Sequence, residues 1–501
     1  MLSRKEVLEE KEKKDELKVE VENFGPISNG EIDIKPLTIF VGPNNSGKSY
    51  IAMLIHAILE TVLTLQLPFL RIDFEKTFSN ELSELEKIIL DSLKKKEEAL
   101  IIPDTFIEKI VKKIFEEYSK SLSIEISRSF ACSLKDLVKL GQKDLKIRVS
   151  SNAFSTYALL RDNKLETTEY LLKKINLPKK ISTRIHFSKS VGPFVKSTYN
   201  GKELTITLST VLRDKKLLNV HHALSKLAIE RIAEIFAHKI FGERMVQCYY
   251  LPAARSGILQ GHKILVANLI KRVHYVGIER LEVPSFSGVV SDFLSSIINL
   301  PERRGHFYQL AQELEKELIR GEIVVHELEE RPYPEIEYSF QGAKIPLHRT
   351  SSTVSELAPL ILYLKYILNP RDILIIEEPE AHLHPENQRI LAKYLVRLVR
   401  KGVRVIITTH SEYLIEQLNN FVLLSKVEPK KRIEKYNYSE EDFLSPGEVA
   451  LYVFSYDEKS AGYKTNKVKI TEEGIPQEEF LRVHEALYEE SLKMQKDLEE
   501  H

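Results

Sequence analysis

Residues 42–49 read GPNNSGKS, and their flanks constrain the fold more than any other feature of the chain. Before the loop, LKVEVENFG alternates Leu17, Val19 and Val21, Asn29-Gly30 supplies a turn, and EIDIKPLTIFV continues as an apolar strand up to Val41. After it, Ile51, Leu54, Ile55, Ile58 and Val62 recur at the spacing of one helical face. A strand, a GxxxxGKS loop and a helix in that order make a phosphate cradle. Gly42 and Gly47 let the chain wrap so that backbone N–H groups across Asn44, Asn45, Ser46 and on to Tyr50 face inward, and the helix N-terminus adds partial positive charge. Lys48 reaches the β- and γ-phosphates of a nucleotide, and the Ser49 hydroxyl ligates Mg2+.

Such a cradle needs carboxylates, and they lie 329 residues beyond Lys48. Residues 373–378, ILIIEE, form a short buried strand ending in two acids. Glu377 is placed to hold the Mg2+ shell as a Walker B carboxylate, and Glu378 to polarise the attacking water. A further strand, VRVIITTH, ends at His410, whose imidazole can sense the γ-phosphate and the water. His382 and His384, two residues apart with no further Cys or His nearby, fit loop or packing roles rather than a metal site.

The run VENFGPISNGEIDIKPLTIFVGPNNSGKS resembles the opening of ABC-type ATPase heads of the SMC, DNA-repair and OLD-like families, and IIEEPEAHLHPENQ with IITTHSEYL resembles their Walker B, D-loop and H-loop. The resemblance covers about residues 17–65 and 345–425. It implies an α/β fold, a P-loop NTPase of the ABC/SMC-head type with a large, mainly helical insertion lobe, and an ATPase using ATP and Mg2+. It also implies a dimer whose two heads close face to face, each ATP lying between the Walker loops of one head and a signature motif of the other. TSSTVSELAPLILYLKYIL stands where the signature belongs, with Ser352 25 residues before Glu377. It lacks both glycines of the usual LSGGQ, which leaves Ser351, Ser352 and Ser355 as candidates for the γ-phosphate and an ordinary helix cap as the alternative. Glu377 replaces the Asp of many relatives, and its longer side chain serves Mg2+ through water.

The sequence divides into a charged tail (1–16), an N-terminal nucleotide-binding part (17–70), an inserted lobe (71–248), a C-terminal ATPase part (249–425) and C-terminal strands with a final helix (426–501). Within the insert, Leu82, Leu85, Ile89 and Leu93 share one helical face, as do Ile107, Ile110, Val111 and Ile114. FVLLSK, VALYVFSY and KVKITEEG read as strands after His410, followed by the helix QEEFLRVHEALYEESLKMQKDLEE. These 91 residues contain no D-x-D, so the TOPRIM nuclease of OLD-like relatives is not expected. The resemblance then implies a stand-alone ATPase that gates a separate effector, in defence against mobile elements or in DNA repair. Two other readings stay open: a nucleotide-sensing scaffold with little turnover, and the ATPase subunit of a transporter, which the large insertion disfavours.

With 73 basic and 73 acidic residues, no global field draws the chain to nucleic acid or membrane. Residues 173–216 break that balance with 11 Lys or Arg against Glu203 and Asp214. They can grip a nucleic-acid backbone or form a surface neutralised by the acidic helices at 76–98 and 108–117. In YYLPAARSGI an apolar strand delivers Arg255 either toward the nucleotide and dimer interface or into a structural pair with an acidic helix. Cys132 and Cys248 show no zinc or redox spacing, and no apolar run suits a membrane span, so a cytoplasmic protein is expected.

Overall fold

The computed structural model describes residues 17–66, 74–95, 99–151, 154–161, 164–172, 182–188, 192–199, 202–207, 246–261, 286–326, 335–476 and 488–495, with isolated positions between 222 and 232. The chain forms two compact units. The first takes in residues 1–24, 57–128 and 132–247, and the second 25–56, 129–131 and 248–501.

The second unit is built on a sheet of strands β1 (Ile27–Ile34), β2 (Leu37–Val41), β3 (Cys248–Leu251), β4 (Ile373–Glu377), β5 (Arg404–Thr409), β6 (Val449–Asp457) and β7 (Gly462–Val468). Their spatial order is β3-β4-β5-β2-β6-β7-β1. The run from β3 to β6 is parallel throughout. β4 is buried at every position, as a parallel strand covered on both faces must be. Each Ile enclosed there contributes about 2 kcal/mol through the apolar area it removes from water. Helices α1 (Lys48–Gln66), α2 (Ser352–Leu362), α3 (Pro385–Arg400) and α4 (Glu412–Leu424) follow loop 42–49, Thr350-Ser351, β4 and β5. The apolar stripes of α2, α3 and α4 join β2, β4 and β5 in one core that includes Leu357, Ile361, Leu391, Leu395, Leu414 and Leu418.

Two local expectations are corrected. Asn29-Gly30 lies inside β1, and the chain turns at Gly25-Pro26, where Gly25 takes a φ of +54°. A positive φ suits Gly, so the turn settles there. FVLLSK is helical through Leu424, because Phe421 and Val422 continue the buried face of Leu414, Ile415 and Leu418 at helical spacing. VALYVFSY forms most of β6, and β7 ends at Val468.

The first unit holds the helices expected in the insert, Ser79–Lys94 and Asp104–Phe130, with Leu82, Leu85, Ile89, Ile107, Ile110, Val111 and Ile114 buried. It also carries strands in comparable measure. Leu17–Phe24, Lys146–Ser150, Phe154–Arg161 and Lys164–Leu172 pair antiparallel in sequence. Ala99–Ile101, Ser182–Ser188, Gly192–Tyr199 and Lys202–Thr207 form a second antiparallel sheet. Of the basic run, Arg184 and Lys196 are cross-strand partners and Lys202 opens the last strand. Lys173, Lys174, Lys179, Lys180, Lys189, Arg213, Lys215 and Lys216 lie outside the described residues. Among the described residues no helix is long and apolar enough to cross a membrane.

Candidate nucleotide site

Parallel registration brings three chain segments to one sheet edge. Val41 at the end of β2 pairs with Thr409 of β5, and Thr408 of β5 pairs with Glu377 of β4. Loop 42–49, the acidic pair and His410 therefore leave neighbouring strands at their carboxyl ends, where open α/β sheets bind ligands.

The loop is shaped by backbone. Gly42 and Gly47 have φ of +150° and +99°, and Asn45 takes a left-handed +62°, which Asn tolerates better than most residues. Asn44, Asn45 and Ser49 are exposed, whereas Ser46, Gly47 and Lys48 are buried. The Lys48 ammonium donates to the carbonyls of Gly42 (2.9 Å) and Pro43 (2.8 Å), so its charge is held inside the cradle. Burial pushes its pKa down to about 8, and the carboxylates of Glu378, Glu380 and Glu377 resist that fall. The Tyr50 ring packs against Phe130 at 5.2 Å between centroids and lies over Gly25, which leaves only its backbone N–H as a candidate ligand group.

Glu377 fits a cation shell. It is 9% exposed; Oε2 accepts from the Ala253 N–H (3.1 Å), while Oε1 is buried without a hydrogen-bond partner. A buried carboxylate oxygen left unsatisfied is costly unless a cation or its water completes it, and Glu377 with the exposed Ser49 hydroxyl would be the residues to hold Mg2+ there. Burial and the Glu377 charge hold the Tyr250 hydroxyl far above the usual phenol range. Glu378 adopts φ +42°, a left-handed conformation rare for a residue with a long side chain, and its N–H donates to the Thr408 carbonyl (2.9 Å). Backbone strain of this kind costs about 1–3 kcal/mol and concentrates where side-chain aim matters.

His410 is exposed, and its pKa is lowered by desolvation and by Lys48, with Glu378 opposing. Its backbone N–H donates to Glu380 Oε1 (3.0 Å), which also accepts from the Thr409 hydroxyl (2.6 Å). Burial raises the Glu380 pKa, and its Oε2 has no hydrogen-bond partner. Glu380, the third acid of EEPE and three residues after Glu377, is thereby fixed to the end of β5, a placement that its spacing alone hints at in the sequence.

In the stretch expected to hold the signature, Ser351 is the cap of α2, accepting from the Val354 N–H (3.4 Å), and Ser351 and Ser352 are exposed. Ser355 is buried, donates to the Leu347 carbonyl (3.2 Å) and meets the Thr350 hydroxyl (3.0 Å), which removes it from the phosphate candidates. Glu356 pairs with Arg255, which is buried and bonded to protein groups, so the partner is the apolar helix α2 and not an acidic helix. His384 caps α3 by accepting from the Glu386 N–H (3.4 Å). Among the described residues no group of three or more His, Cys, Asp or Glu is arranged to hold a metal by itself.

The Smc head domain with an extended coiled coil bound to the C-terminal domain of ScpA, from Pyrococcus furiosus, is 12% identical, covers 94% of this chain and 98% of its own, and has a TM-score of 0.36. The SMC head domain from Thermotoga maritima is 13% identical, covers 91% and 99%, and has a TM-score of 0.32. An SmcHead bound to the C-winged helix domain of ScpA is 12% identical, covers 90% and 97%, and has a TM-score of 0.35. Among curated proteins nothing matches. The model of the AAA ATPase domain matches residues 17–415, a span that takes in the cradle, the acidic strand end and His410. With its phosphate loop, its acids and its histidine all inside that match, the chain belongs to the AAA ATPase domain family.

Proposed function

We propose that this chain binds Mg-ATP, hydrolyses it slowly, associates with a second copy when ATP is bound, and through that association gates a separate effector in defence against mobile elements or in DNA repair. The observation that carries the reading is the convergence of Lys48, Glu377, Glu378 and His410 on one sheet edge, with Lys48 feeling the charge of both acids. In this reading the loop N–H groups and Lys48 hold the phosphates, and Ser49 and Glu377 would hold Mg2+, which would supply charge neutralisation at the phosphates. Glu378 then orients water for in-line attack, and His410 stays neutral and donates or accepts at the γ-phosphate edge. Ser351 and Ser352, exposed at the N-terminus of α2, would meet the γ-phosphate held by the partner copy.

A ligand that bridges two copies favours the closed pair by its differential affinity alone. Light scattering on the Glu378→Gln protein with and without ATP tests this. Doubling of mass with ATP is expected; an ATP-independent monomer would contradict it.

A further inference from the structure

Between β3 and the residues that follow, Pro252–Ser256 bring one guanidinium against both the acidic strand end and the signature helix. Arg255 is 2% exposed. Its Nε donates to the Glu356 carbonyl (2.9 Å) and lies 3.2 Å from the Glu356 carboxylate. Nη1 donates to the Glu377 carbonyl (2.9 Å), and Nη2 donates to the Glu378 carbonyl (3.3 Å). The Ser256 hydroxyl donates to Glu356 Oε1, and the Ala253 N–H holds Glu377 Oε2 (3.1 Å). A parallel tie joins the same helix to the loop after the acids, where Thr353 Oγ1 donates to the His382 carbonyl (3.2 Å). None of these bonds touches the phosphate loop.

We propose that Arg255, clamped by Glu356, is a positioning residue that makes the first turns of α2 and the two Walker B acids move as one body. A planar fork bonded on three sides cannot follow one anchor and leave the others. Any displacement of the Ser351 turn is therefore passed to the peptide planes of Glu377 and Glu378, the second of which already holds a left-handed φ. The inference rests on the two-copy reading. There, the signature turn of one copy serves its partner's ATP while its own acids serve its own, so the Arg255 tie runs between the two nucleotide sites. ATP bound at one site then sets the acids at the other.

The test is ATP titration of steady-state hydrolysis by the full-length chain, with fluorescent-ATP binding and melting temperature recorded alongside. Arg255→Lys keeps the charge but has a single nitrogen and cannot span three carbonyls. The double variant Arg255→Met with Glu356→Gln leaves no unpaired buried charge, so it serves if the first fails to fold. Wild type is expected to show a Hill coefficient approaching about 2, the limit for two sites. In either variant the coefficient falls to about 1 and turnover drops by about tenfold or more, with ATP affinity of the cradle within about twofold of wild type. A folded variant that keeps the wild-type Hill coefficient overturns the coupling while leaving the two-copy reading intact. A wild type that stays monomeric and hyperbolic with ATP overturns both.

Discussion

The loop at 42–49 and the turn at 350–352, the proposed signature, each open a helix, and they are built by opposite means. At the loop, shape is set by backbone: a Cβ on Gly42 would lie 2.7 Å from the Phe454 carbonyl, and one on Gly47 2.7 Å from Ile27 Cγ1, with φ positive at both. At the turn, residues 350–356 contain no glycine. Its form comes from side chains, with Ser351 capping Val354, Thr350 and Ser355 bonded inward, and Glu356 committed to Arg255. A backbone-built cradle tolerates almost no substitution, whereas a turn built from hydroxyls can be edited one group at a time.

That contrast is broken most sharply at Gly42. Its Cβ would meet a carbonyl oxygen that the neighbouring strand β6 cannot withdraw, so Gly42→Ala should cost about 3 kcal/mol or more and abolish nucleotide binding. Thermal melting and fluorescent-ATP titration together read the effect; a variant that binds ATP normally would show that the loop is not backbone-limited.

Glu380→Ala comes next in size. It releases the His410 N–H and the Thr409 hydroxyl and removes one of the charges that keep Lys48 protonated, so turnover should fall by about tenfold to a hundredfold with a smaller loss of ATP affinity. A change confined to affinity would assign Glu380 to the cradle instead of to the end of β5.

Ser351→Ala sharpens the other side of the contrast. Loss of one cap should cost about 1 kcal/mol, visible as a small fall in melting temperature, and should weaken ATP-dependent association more than ATP binding by the isolated copy. Equal loss of both would indicate that the turn serves its own cradle.

The smallest expected effect is in pH. Burial and Lys48 disfavour the His410 proton, so the imidazole is neutral at pH 7 and charges only as pH falls through a value below the ordinary 6.5. Turnover should decline on the acid side of neutrality, and His410→Gln should reduce that acid limb. The same shift makes His410 a stabilising neutral group that is progressively lost as pH drops below the unfolded-state pKa.

The same contrast explains what could be read from residues alone. The cradle was legible because backbone demands write themselves as fixed glycines between a strand and a helix, and ILIIEE was legible because a parallel strand buried on both faces is apolar throughout. Ser355 could not be separated from Ser351 and Ser352, since all three are small hydroxyls at one helix start and only burial tells them apart. The Arg255–Glu356 pair spans 101 residues, and a pairing of that range leaves no local pattern. FVLLSK misled for a related reason: its apolar run suits a strand or a buried helix, and the preceding turns of α4 decide. In the insert, helical periodicity marks Ser79–Lys94 and Asp104–Phe130, while the antiparallel strands from Lys146 carry a weaker local signal.

Glu378 is proposed to activate water at a site where Lys48 and Glu377 would only bind and neutralise. Single-turnover hydrolysis of ATP by wild type and Glu378→Gln, with ATP binding measured on the same samples, tests it directly. Glu378→Gln should bind ATP as well as wild type and lose turnover by about a hundredfold or more; hydrolysis at the wild-type rate would contradict the assignment.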